Sequence, residues 1–81
     1  MIIYTKPHCD KCEDIKKKLS EAGVAFVAKN IAEMGVVDEL KVVLAEAGLN
    51  SPLMPIMKFD DGKVVSNDMG LYKELKQREI L

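Results

Sequence analysis

Cys9 and Cys12 are the only cysteines among 81 residues, and two residues separate them in Cys9-Asp10-Lys11-Cys12. Thiols at this spacing can close a small disulfide ring, so the chemistry on offer is reversible two-electron thiol–disulfide exchange. A short apolar run, Met1-Ile2-Ile3-Tyr4-Thr5, precedes them, and a helical pattern from Lys11 to Ala22 follows. Cys12, Ile15, Leu19 and Ala22 recur at spacings of three and four, which places Cys12 on the buried face of that helix. Cys9 stands just before the helix and can stay partly exposed. This asymmetry predicts Cys9 as the attacking nucleophile and Cys12 as the shielded thiol that resolves the mixed disulfide.

The thiolate is the reactive form, and a helix N-terminus favours negative charge by about 0.3–1 kcal/mol. Lys6 and Lys11 act in the same direction, and His8 does so when protonated. Asp10, Glu13 and Asp14 oppose them, with Glu13 and Asp14 spaced to pair with Lys17 and Lys18 one turn on. The expected balance is a moderately lowered Cys9 pKa, with His8 and Lys11 as candidate modulators of the thiolate. A drop from about 8.5 to about 6.5 raises the thiolate fraction at pH 7 about 25-fold. The accompanying fall in intrinsic nucleophilicity takes back about 6–10-fold. A low pKa therefore matters as much for making Cys9 a good leaving group as for its attack. His8 with the two cysteines makes three possible metal ligands, whereas a structural zinc site uses four, so no metal site is expected.

The thiols need elements to hold them. Met1 to Thr5 reads as a strand and Lys6-Pro7-His8 as a turn. Gly23 stops the first helix, and Val24-Ala25-Phe26-Val27-Ala28 is a continuous apolar run suited to a buried parallel strand. After a turn region from Asn30 to Gly35, a second helix carries Val37, Leu40, Leu44 and Ala47 at helical spacing and stops at Gly48. A loop leads to Pro55. Ile56-Met57-Lys58-Phe59 and Lys63-Val64-Val65 then flank Asp60-Asp61-Gly62 as a hairpin. A last helix is predicted from about Asp68 to Arg78, with Leu71, Tyr72 and Leu75 inward and Ser66 or Asn67 as its cap. The order βαβαββα predicts a mixed four-stranded sheet with helices on both faces, because a βαβ opening pairs its strands in parallel and a hairpin does not.

Length argues for one domain over residues 1–81, burying only about 60–65% of its unfolded surface. With 12 basic and 13 acidic side chains, the chain has no strong pull toward nucleic acid or an anionic membrane. No apolar stretch is long enough to span a bilayer, and no basic segment followed by a long apolar run marks a secretory signal. Two close cysteines are not the stapling framework of a small secreted protein, so a cytoplasmic location is expected.

Tyr4-Thr5-Lys6-Pro7-His8-Cys9-Asp10-Lys11-Cys12 resembles the opening of a glutaredoxin or glutaredoxin-like redoxin. The likeness continues through Met54-Pro55 before a strand, Gly62-Lys63 in the hairpin and a final helix, and so covers most of the chain. It implies a minimal thioredoxin fold, α/β, and a dithiol thiol–disulfide oxidoreductase acting on protein disulfides or glutathione mixed disulfides. It further implies a cis bond before Pro55, with Pro52 as the competing proline, and Met54 backbone groups that pair with an extended substrate beside the cysteines. Lys6 falls where glutaredoxins carry a lysine that contacts a glutathione carboxylate, and Asp68 is placed to receive an ammonium group. Two features depart from the family pattern. Ser66-Asn67-Asp68-Met69-Gly70 replaces the usual Gly-Gly pair, and Asp10-Lys11 replaces the Pro-Tyr common between the cysteines.

The resemblance implies a monomer with no bound cofactor, with glutathione or thioredoxin reductase, a flavoprotein, as electron source. Disulfide-containing proteins, ribonucleotide reductase among them, are the implied partners. The usual Trp-containing segment of redoxins that serve ribonucleotide reductase is absent, since the chain has no tryptophan. The alternative is a soft-metal module holding Cu(I) or zinc on the C-x-x-C. Copper-chaperone domains, however, usually place Met where this chain has Pro7, and they end on a strand. A third reading is a redox-sensing or docking domain without turnover.

Overall fold

A computed structural model describes residues 1–49, 54–67 and 70–81. Its elements are β1 (Ile2–Thr5), α1 (Asp10–Glu21), β2 (Val27–Asn30), α2 (Val36–Ala47), β3 (Ile56–Lys58), β4 (Val64–Ser66) and α3 (Leu71–Gln77). The strands form one sheet in the order β2-β1-β3-β4, with β1 parallel to β2 and the other pairs antiparallel. This is the expected mixed four-stranded sheet and the topology of a minimal thioredoxin fold.

Alternation along the strands assigns side chains to two cores. Ile3, Met57, Phe59 and Val65 meet Ile15 and Leu19 of α1 and Leu71 and Leu75 of α3 on one face. Tyr4 and Ile56 meet Leu40 and Val43 of α2 on the other. The register decides where the chemistry sits. Thr5 pairs with Asn30, Tyr4 with Ile56, and Ile56 with Ser66. The ends of β1, β2 and β4 therefore lie at one end of the sheet with the start of β3. The Lys6–Cys9 turn and Met54-Pro55 share that end.

Four expectations need correction. The Val24–Ala28 run is not a buried strand: β2 starts at Val27 and is an edge strand with β1 as its neighbour. Val24 and Phe26 pack on the α1–α3 core while Val27 is 55% exposed, because a strand at the sheet edge has no neighbour to cover its outer side. In α2 the inward stripe is Val36, Leu40, Val43 and Leu44, and Val37 and Ala47 face solvent. The run Val36-Val37 and Val42-Val43-Leu44 offers two overlapping helical faces, and the crossing over the sheet selects one. Helix α3 begins at Leu71 with Gly70 as its N-cap at φ 81°, so Ser66 and Asn67 do not cap it; Ser66 is buried in β4. Finally, Glu13 pairs with Lys16 rather than Lys17, whereas Asp14 does pair with Lys18 at 3.2 Å. The hairpin turns at Asp60-Asp61-Gly62 as read, closed by the Phe59 N–H to Lys63 and the Gly62 N–H to Phe59. Among the described residues no helix is long and apolar enough to cross a membrane.

Candidate active site at the Cys9–Cys12 turn

Strand β1 ends at Thr5, and the exposed Lys6-Pro7-His8 turn reverses the chain onto α1. The reversal needs a positive φ, which His8 supplies at 56°. Few residues with a side chain accept that conformation, and histidine is among the more tolerant. Cys9 follows in extended backbone (φ −112°, ψ 103°) as the N-cap of α1. Its carbonyl accepts the Glu13 N–H at 3.1 Å, and its Sγ accepts the Cys12 N–H at 3.2 Å.

The two sulfurs are joined as a disulfide, with the Cα atoms 5.3 Å apart. Cys12 is fully buried on the stripe it shares with Ile15 and Leu19, and Cys9 keeps 8% exposure. The ordering matches the asymmetry in the sequence, although Cys9 is more enclosed than a partly exposed cysteine. A cap position explains both facts: Cys9 lies outside the helix but under the turn that leads into it. When the disulfide is reduced, a thiolate at Cys9 gains a charge-assisted bond from the Cys12 N–H and the positive end of the helix dipole.

The register brings the other sequence-marked residues to the same end of the sheet. Met54 is half-buried against the Tyr4–Ile56 core, Pro55 is fully buried, and the Met54–Pro55 peptide is cis. Lys6 and His8 stand exposed on the turn, and Lys11 is exposed on α1. Asp68 and Pro52 lie outside the described residues. Among the described residues no group of three or more His, Cys, Asp or Glu side chains is placed to hold a metal ion.

One constellation escaped the sequence reading. A groove of about 640 Å³ runs along α1 against α3, lined by Lys11, Asp14, Lys18, Glu21, Tyr72 and Lys76 together with Ala22 and Leu81. In it the Tyr72 hydroxyl donates to Asp14 at 2.8 Å, and Lys18 pairs with Asp14 while lying 5.0 Å from the Tyr72 ring centre. The Tyr72 hydrogen bond, followed by that of Lys18, holds the Asp14 carboxyl below the usual carboxylate range. Burial, and then Asp14, push the Tyr72 phenol up to about 12. Tyr72 and Asp14 are 58 positions apart, so no local spacing announces the contact. The only sequence signal is that Tyr72 belongs to the inward set of α3.

The glutaredoxin family model matches residues 1–65, from β1 to within β4. No curated protein matches the chain, and no solved structure does. The match covers both cysteines, Met54-Pro55 and three of the four strands completely. By that match the chain belongs to the glutaredoxin family, and Cys9 and Cys12 are its redox-type thiol pair.

Proposed function

We propose that this protein is a dithiol thiol–disulfide oxidoreductase that reduces protein disulfides or glutathione mixed disulfides. The observation that carries the reading is the Cys9 Sγ at the head of α1, accepting the Cys12 N–H at 3.2 Å while Cys12 is wholly enclosed. Reduced Cys9, as thiolate, attacks one sulfur of the substrate disulfide. A mixed disulfide forms, and the other substrate sulfur leaves as a thiolate and takes a proton from solvent. Cys12, losing its proton, then attacks the Cys9 Sγ, closes the Cys9–Cys12 bond and expels the second substrate thiolate. The substrate gains two electrons and the protein loses two. Two glutathione thiols, oxidised to their disulfide, or a flavoprotein of the thioredoxin reductase type return them.

Lys6 receives a substrate carboxylate in this scheme, Met54, next to Pro55, offers its backbone N–H and C=O to an extended substrate, and His8 and Lys11 bias the Cys9 thiolate. Ribonucleotide reductase is a candidate among the protein substrates. The test is turnover on a disulfide substrate with glutathione and its reductase, run beside thioredoxin reductase. Cys9→Ser is expected to abolish turnover with either reductant, and Cys12→Ser to accumulate a trapped mixed disulfide on Cys9. Retained reduction by Cys9→Ser would overturn the assignment of the nucleophile.

A further inference from the structure

Asp14 lies on the surface of α1 two residues past Cys12, the last residue of the disulfide ring, and it is held from two sides. From α3 the Tyr72 hydroxyl donates to Oδ2, and from α1 Lys18 pairs with the same oxygen. Lys11, the one basic residue inside the Cys9–Cys12 ring, lines the same groove three positions before Asp14. On a helix that spacing stacks two side chains on one face. Glu21 and Lys76 complete the charged lining toward the far end.

The charges at the redox turn are thus unequal in freedom. Asp10 and Glu13 are exposed on the first turn, and Glu13 is tied to Lys16. Asp14 is the acid of this turn with a donor from a second element, so its carboxylate has a fixed place in the groove that Lys11 also lines. We propose that Asp14 is a positioning residue for the redox turn: locked by Tyr72, it offsets the Lys11 charge and so sets the fraction of Cys9 present as thiolate. The lowered Asp14 pKa is in keeping with this, since Lys11 is among the charges that favour its ionised form. The carboxylate acts twice in one direction. It repels a thiolate at the head of the helix, and it draws the field of Lys11 toward the groove. Over separations on the order of 10 Å, with an effective dielectric of about 20–80, one unit charge moves a neighbouring pKa by about 0.3–1.2.

This inference deepens the oxidoreductase reading and rests on Cys9 being the reactive thiol. Its test needs no turnover: the Cys9 pKa is read in fully reduced protein from ultraviolet thiolate absorbance and from the pH dependence of alkylation. Loss of turnover in the assay above is a separate failure. Asp14→Asn is expected to lower the Cys9 pKa by about 0.5, and Asp14→Glu to keep it near the original value. Lys11→Gln is expected to raise it, and in the Lys11→Gln background the effect of Asp14→Asn is expected to fall by about half. Asp14 and Lys11 are both exposed, so these changes leave the core untouched. An unchanged pKa in Asp14→Asn, or the same shift with and without Lys11, would overturn the proposal.

Discussion

His8 shows how one residue can be read for its charge and retained for its backbone. It stands exposed beside Cys9 at φ 56°, where a β-branched side chain meets a cost of about 1–2 kcal/mol. Three substitutions separate the two roles. His8→Val is expected to lose about 1–2 kcal/mol of stability in urea denaturation, and His8→Gly to lose none. His8→Asn keeps tolerance of the left-handed region without the imidazole. A fall in Cys9 reactivity in His8→Asn, with stability unchanged, would show that the ring itself acts on the thiolate. At this same scale the two cysteines differ by position: one caps the helix and the other lies on its inner stripe.

At the scale of elements, α3 is too short to persist alone, since a helix of seven residues falls well below the length at which isolated helices hold in water. It stays folded because Leu71 and Leu75 are fully buried against Ile15, Leu19 and the sheet. Leu75→Ala is therefore expected to cost about 2–5 kcal/mol in the denaturation midpoint, and the exposed Lys73→Ala close to nothing. A loss below about 1 kcal/mol for Leu75→Ala would mean that α3 is not integral to the core. Helix α2 is anchored differently. Tyr4 donates to Glu39 at 2.9 Å, and Lys29 reaches both Glu39 oxygens at 2.7 and 2.8 Å, joining β1, β2 and α2. Element order, the hairpin and the sheet type were legible in the sequence because each depends on neighbours a few positions apart. The face of α2 and the edge position of β2 were not. Valines at 36, 37, 42 and 43 and the run 24–28 fit more than one burial pattern, and only packing chooses among them.

Across the whole molecule, ionised and phenolic groups tie distant elements and set the pH range of stability. Asp14, Glu39, Asp61 and Glu74 all have carboxyls lowered from their ordinary values. The first partners responsible are Tyr72, Lys29, the Lys63 backbone and Lys63 respectively. Groups of this kind bind protons more readily in the unfolded chain. Their contribution is present above the ordinary carboxylate pKa of about 4 and is lost as pH falls through the folded values. Tyr4 and Tyr72 behave in the opposite sense. Their phenols are raised from 10.0 to about 12, first by burial and then by Glu39 and Asp14. That contribution is complete below about 10 and disappears as pH climbs to about 12. The urea midpoint is expected to plateau through neutrality and to fall on both flanks, with Tyr4→Phe and Tyr72→Phe together weakening the alkaline fall. A midpoint that keeps rising below about pH 4 would contradict the acid limb.

Cys9-Asp10-Lys11-Cys12, the helix behind it and Met54-Pro55 ahead of a strand were determined by the sequence alone. Thiol spacing, helical periodicity and a proline before an apolar run are local properties that survive without the fold. Tertiary structure decided what surrounds them. The sheet register gathered the Lys6–Cys9 turn and Met54-Pro55 at one end, and the packing of α3 on α1 brought Tyr72 to Asp14 across 58 residues. A contact between residues so far apart depends on how helices seat on a shared sheet, and side-chain spacing along the chain does not encode it.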